Sequence, residues 1–138
     1  MGQRDVHTSF PRQKFMETIG AELCTIEVGE VGIAIDYTEH LSQQHGFMHG
    51  GVIASVLDSA CGYAALSAMP DGSEVLTVEF KINFLAPSKP GRLICRGNVI
   101  KSGRTLTIVE GEASLCETDT IVAKMQATMM RVAKKEDQ

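Results

Sequence analysis

The sequence predicts an α+β domain in which one curved antiparallel sheet wraps around a single long helix. Three observations carry this. From Met48 to Met69 the only formally charged side chain is Asp58, and a helix that is apolar nearly all round belongs in a core. Two strand-like runs precede that stretch and four follow it, joined by short turns, the pattern of strands with one segregated helix. The chain has 138 residues, the length of one domain, and a sheet that curves round the helix is the simplest packing that covers every side of it.

The elements follow in order. Residues 8–20 predict a short helix with Phe15, Met16 and Ile19 on its apolar side and Pro11 in its first turn. Residues 21–28 and 31–37 predict two strands turning at Gly29-Glu30. In the second, Val31, Ile33, Ile35 and Tyr37 alternate with Gly32, Ala34 and Asp36. Residues 38–48 are polar and predict a loop. The stretch 48–69 would span ~33 Å as a helix. A membrane span is the competing reading; three glycines, a mid-segment Asp and strands on both sides speak against it.

In 74–86, Leu76, Val78, Phe80, Ile82 and Phe84 alternate with Thr77, Glu79, Lys81 and Asn83. That predicts one buried face and one polar face. Residues 91–101 and 105–116 predict strands turning at Ser102-Gly103-Arg104. The last strand, 120–133, follows a turn at Thr118-Asp119.

Composition narrows the function classes. A net charge of -4 gives no electrostatic reason to expect nucleic acid or an anionic membrane as partner. Cys24, Cys61, Cys95 and Cys116 form no C-x-x-C pair, and the opening residues Met1-Gly2-Gln3-Arg4-Asp5 are polar with no hydrophobic leader. The expectation is a reduced, cytoplasmic protein. His45 and His49 are four apart, but no third ligand completes a metal motif and Gly46 and Gly50 oppose a helix there, so no metal is expected. There is no G-x-S-x-G, P-loop or dinucleotide fingerprint.

Asp58 is the first candidate for chemistry. A carboxylate on an otherwise apolar helix is costly unless hydrogen-bonded or functional. Its helical neighbours Gly51, Ala54, Ser55, Gly62 and Ala65 are all small, which admits another helix or a ligand; a structural Asp bonded to a backbone group is the plainer reading. The second candidate is His49-Gly50-Gly51. A helix start presents unpaired N–H groups and the positive end of the dipole, the raw material of an oxyanion hole; a flexible helix start is the alternative. Gly50 and Asp58 are eight residues apart, ~12 Å along one helix, whereas catalytic groups must lie within ~3 Å of the reacting atoms. If both are catalytic, two copies must share each site across a two-fold axis.

The segment Gln43-Gln44-His45-Gly46-Phe47-Met48-His49-Gly50-Gly51, followed by Asp58, resembles the PaaI-like branch of the hotdog-fold acyl-CoA thioesterases, in the 4-hydroxybenzoyl-CoA thioesterase superfamily. The runs Thr77–Pro87 and Lys101-Ser102-Gly103-Arg104 are similar to the same family, and the resemblance covers about residues 21–133. It implies a hotdog fold, dimers whose sheets join, often a homotetramer built as a dimer of dimers, and hydrolysis of a CoA thioester at the subunit interface with no further cofactor. It implies that the Gly50 N–H polarises the thioester carbonyl beside His49, and that the Gln43 amide is aimed at the same region. Asp58 of the other subunit would act as nucleophile or as general base on water, with Thr77 near that water. Lys89, Lys101, Gly103, Arg104 and Thr105 would lie near the CoA nucleotide, although each also reads as a surface charge or turn residue. Phe47, Tyr63 and Leu66 are candidates for the acyl end. Two alternatives keep the fold: a non-catalytic acyl-CoA-binding or sensing module, and a dehydratase or hydratase pairing His49 with Asp58.

Overall fold

The computed structural model describes residues 1–133 of the chain. The N-terminal helix divides into three pieces: α1 (Gln3–Ser9), a 3₁₀ turn at Phe10–Arg12, and α2 (Lys14–Ile19). The expected single helix over 8–20 is corrected on two points. Helix begins earlier, because Gly2 N–H donates to Ser67 O and buried Val6 anchors α1. It breaks at Gln13, which takes an extended conformation after Pro11, a residue with no N–H to continue the helical ladder. Met16 and Ile19 face the core, while Phe15 is exposed.

Strands β1 (Glu22–Glu27) and β2 (Glu30–Asp36) form a hairpin. Its turn lies at Val28-Gly29, one residue before the expected position, because Gly29 supplies a φ of +82°. After a loop, α3 runs over Gly50–Ser67. Strands β3 (Ser73–Phe84), β4 (Arg92–Ser102), β5 (Leu106–Leu115) and β6 (Ile121–Ala133) complete the chain. One six-stranded antiparallel sheet results, in the order β1-β2-β4-β5-β6-β3. It curves around α3, which touches all six strands. The helix is long and apolar enough to cross a membrane by composition; here its apolar side chains Ile53, Val56, Leu57 and Leu66 join Ile33, Leu93, Val109 and Met129 in the core.

The closest approach of helix to sheet is made by two glycines. Gly97 of β4 pairs with Gly111 of β5, and together they leave a notch under Ala60 and Cys61. A Cβ on Gly97 would lie 2.6 Å from the Ala60 carbonyl oxygen, and one on Gly111 would lie 2.9 Å from Cys61 Sγ. The helix backbone therefore rests directly on the sheet.

Strand β3 departs from the expected pattern. A bulge falls between Thr77 and Glu79 in its pairing with β6, and it reverses the alternation. Thr77 faces buried Met129 on the helix side; past the bulge Phe80, Ile82 and Phe84 pair with Ala127, Met125 and Ala123 on that side. Leu76 therefore points outward, opposite Met130. The expected buried face of Leu76, Val78, Phe80, Ile82 and Phe84 is not a single face. It is also not buried: β3 is an edge strand, and Leu76, Val78, Phe80 and Phe84 are all exposed.

The notch yields a paired prediction. Gly97→Ala should destabilise the protein by about 1–3 kcal/mol, because its Cβ meets helix backbone that cannot move aside. Gly62→Ala, whose Cβ meets only Met129 Sδ at 4.0 Å, should be neutral or stabilising by up to about 1 kcal/mol. Chemical denaturation followed by circular dichroism distinguishes the two.

Candidate active site

The start of α3 is built by a turn that frees one backbone donor. His49 is the N-cap, and its Nδ1 accepts the Gly51 N–H at 2.8 Å. That bond requires the neutral ring with its proton on Nε2. A Cβ at 51 would lie 2.9 Å from His49 Nδ1, so a larger residue there would push the capping imidazole aside. Val52 and Ile53 N–H groups bond to the His49 carbonyl, while the Gly50 N–H has no partner among the described residues. The ring of Phe84 covers Gly50, 3.1 Å from where a Cβ would stand.

The preceding loop holds Gln43 beside this helix start. It is a tight turn, with Gln43 N–H donating to Phe47 O and Gly46 N–H to Gln43 O. The Gln43 Oε1 accepts the His45 N–H, which leaves its Nε2 end without a partner among the described residues. His49 N–H donates to Leu41 O, and Met48 N–H to Ser88 O, pinning the turn to the β3–β4 loop.

Two turns further along α3, Asp58 is half-buried rather than enclosed. Its Oδ1 accepts the Thr77 hydroxyl at 2.7 Å. The bulge in β3 makes this contact possible by turning Thr77 to the helix side. Asp58 and Thr77 stand at a cavity of about 470 Å³ that also reaches Gly62, Tyr63, Leu66 and Met129. Of the three candidates for the acyl end, Tyr63 and Leu66 line this cavity and Phe47 does not. The N-terminal segment supplies the far wall through Ser9 and Gln13. The sequence reading did not identify those two residues, since nothing in local pattern brings residues 9–13 beside residue 58.

One protomer does not bring all the candidates together. Gly50, His49 and Gln43 lie at one end of α3, and Asp58 with Thr77 lies ~12 Å away by helix rise. The nucleotide candidates are divided as well. Lys89 sits in the β3–β4 loop beside a cavity of about 330 Å³ lined by Pro87, Pro90 and Leu115. Lys101, Gly103, Arg104 and Thr105 form the β4–β5 turn at the opposite end of β4, roughly 33 Å along the strand. Gly103 serves the turn: its N–H donates to Leu106 O, and a Cβ there would collide with that oxygen. Among the described residues, Lys89, Lys101 and Arg104 make no salt bridge.

A model of the thioesterase superfamily matches residues 45–121 of the chain. The chain belongs to that superfamily. It is a thioester hydrolase with the hotdog fold. A thioesterase family protein from Silicibacter pomeroyi has a similar structure, with 44% identity, a TM-score of 0.92, and coverage of 96% of this chain and 99% of that one. The Escherichia coli PaaI protein shares the fold at a TM-score of 0.89 and 20% identity, over 97% of this chain and 95% of that one. Two sequence relatives are a Saccharolobus solfataricus protein that carries an esterase name (35% identical, 72% of this chain and 68% of that one) and the 1,4-dihydroxy-2-naphthoyl-CoA hydrolase of Listeria monocytogenes (28% identical, 68% and 76%).

Cys61, one turn from Asp58, is not a competing nucleophile. Burial, with the charges of Asp58 and Glu110 adding, pushes its thiol up to about 12 from 9.0, and burial raises Cys95 as well. Both stay protonated in the folded protein at neutral pH. At pH 8 a thiol reagent should modify exposed Cys24 and Cys116 alone, and all four cysteines in denaturant, as read by intact mass. The unfolded chain ionises Cys61 above pH 9 while the folded chain does not. The stability tied to this thiol is therefore full below pH 9 and is lost as pH rises toward 12.

Proposed function

We propose that the chain hydrolyses an acyl-CoA or aryl-CoA thioester to the carboxylic acid and CoA, at two sites shared across a homodimer. The observation that carries this reading is the Asp58 carboxylate, held by Thr77 at the mouth of a cavity, on a helix whose start offers the unpartnered Gly50 N–H. The carboxylate is suited to attack the carbonyl or to take a proton from water. A backbone N–H at a helix start is suited to the developing oxyanion, with the Gln43 amide beside it. The name of the Listeria relative, a CoA hydrolase, supports CoA as the leaving group, with Lys89 and the Lys101–Thr105 turn as phosphate partners. The whole chain acts as one hotdog domain.

Strand β3 supports the shared site. It is twelve residues long, pairs only with β6 among the described residues, and exposes Leu76, Val78, Phe80 and Phe84. An unpaired apolar edge of that length is a template for another strand. Antiparallel pairing with its own copy sets the Thr77 end of one β3 beside the Phe84 end of the other. The partner's Gly50 is thereby carried toward Asp58. On the outer face, Leu76, Met130 and Leu106 form an apolar cross-strand row, which supports pairing of dimers into a tetramer. Four unpaired cysteines support a reducing, cytoplasmic location.

Two experiments test the reading. Asp58→Asn should keep the fold and lower release of CoA from a thioester panel by ~10²–10⁴-fold; retention of more than a tenth of the activity removes Asp58 from the chemistry. Asp58→Asn subunits mixed with inactive Gly50→Pro or Gln43→Ala subunits should regain up to half of wild-type activity per mixed dimer, because one of the two sites is restored. Proline is accepted at the first helical position, but its ring presses on Phe84, so Gln43→Ala is the second lesion. Subunit exchange without recovery places all the groups in one protomer.

A further inference from the structure

The far wall of the Asp58 cavity carries a hydrogen-bond network that hydrolysis itself does not need. Ser59 Oγ donates to Gln13 Oε1 at 2.9 Å, Gln13 Nε2 donates to Tyr63 OH at 3.2 Å, and Tyr63 OH meets Ser9 Oγ at 3.1 Å. Gln13 is the hub, and it comes from the extended residue between the 3₁₀ turn and α2. The break in the N-terminal helix is what aims this amide at α3 beside the catalytic carboxylate.

The network has unspent hydrogen-bonding capacity. Gln13 Nε2 carries two N–H groups, and one is used. Ser59 Oγ gives its proton to Gln13, so its lone pairs remain open to accept. A donor and an acceptor therefore stand side by side in a cavity whose lining also includes Leu66, Met129, Thr8, Arg12 and Glu74. A hydroxyl is both acceptor and donor and matches that pair. A plain alkyl group would strip water from the free N–H and replace it with nothing, which a polar site penalises more than it rewards the added apolar contact.

We propose that Gln13, with Ser59, is a specificity-determining residue that makes the acyl cavity prefer acyl groups bearing a hydroxyl a few bonds from the thioester carbonyl. The proposal rests on the thioesterase reading of Asp58. It gives the N-terminal segment a role in substrate selection, and it assigns the substrate a chemical feature without fixing its carbon skeleton.

The test compares matched thioesters: butyryl-CoA against 3-hydroxybutyryl-CoA, and hexanoyl-CoA against 6-hydroxyhexanoyl-CoA. The wild type should favour the hydroxylated partner in at least one pair by about tenfold in kcat/KM, the worth of one well-placed hydrogen bond. Gln13→Leu should bring that ratio close to one, mainly through KM. The ratio is internal to each variant, so a general loss of activity does not imitate the effect. Ser59→Ala, which removes one partner and little volume, should lower the ratio in the same direction and serves where Gln13→Leu does not fold by thermal melting. A wild-type ratio near one in both pairs, or a ratio unmoved by folded Gln13→Leu or Ser59→Ala, overturns the proposal while leaving Asp58-dependent hydrolysis intact. Absence of any Asp58-dependent hydrolysis across both pairs and a wider panel of acyl- and aryl-CoA thioesters overturns the site reading, and this proposal with it.

Discussion

The position of every functional group depends on how closely α3 lies against the sheet. The Gly97–Gly111 pair removes two side chains from the point where the helix crosses β4 and β5, and the Ala60–Cys61 backbone drops into the space. Asp58 is two residues from that contact. Any larger residue in the notch would lift the helix, and the carboxylate would move off Thr77, whose hydroxyl lies only 2.7 Å from it. Close-packed interiors transmit such displacements instead of absorbing them. Asp58 is thus held by the packing of the next turn of the helix against the sheet.

The β3 bulge sets the second coordinate. Without it, Thr77 would share a face with Glu79 and Lys81 and point to solvent. One extra residue at Val78 turns the first part of the strand over, so a polar residue faces the helix where the carboxylate needs a donor. Past the bulge, Phe84 returns to the same side and covers Gly50. Strand β3 therefore touches both candidate groups, Asp58 near its start and Gly50 at its end. Bulges of this kind re-aim side chains beside active sites.

The strength of local pattern decided how much of this was legible in the sequence. The helix over Gly50–Ser67 and the strands β2, β4, β5 and β6 follow from period and turn chemistry, because their buried faces are set by packing in one protomer. Asp58 stood out as the sole charge in an apolar stretch, and Gly50 as a glycine opening a helix. The β3 face was misread, since period-two alternation carries no sign of a bulge, and an edge strand keeps apolar residues exposed until a partner covers them. The N-terminal break at Gln13 and the Gly97–Gly111 notch were also hidden. Both depend on contacts between residues about 36 to 50 positions apart, which no window along the chain contains.

Within one protomer, Gly50 and Asp58 stand apart for a simple geometric reason. Eight residues of continuous helix separate the Gly50 N–H from Asp58. Nothing within the protomer can shorten a distance fixed by helix rise. Among the described residues, the long apolar edge strand β3 meets both ends and has a free side. In the proposed dimer, joining it to a copy of itself would satisfy its backbone groups, cover Phe80 and Phe84, and carry each Gly50 toward the partner's Asp58. Strand pairing and site assembly would then be the same event, so one interface would meet both the cost of an exposed edge and the need for a second catalytic half.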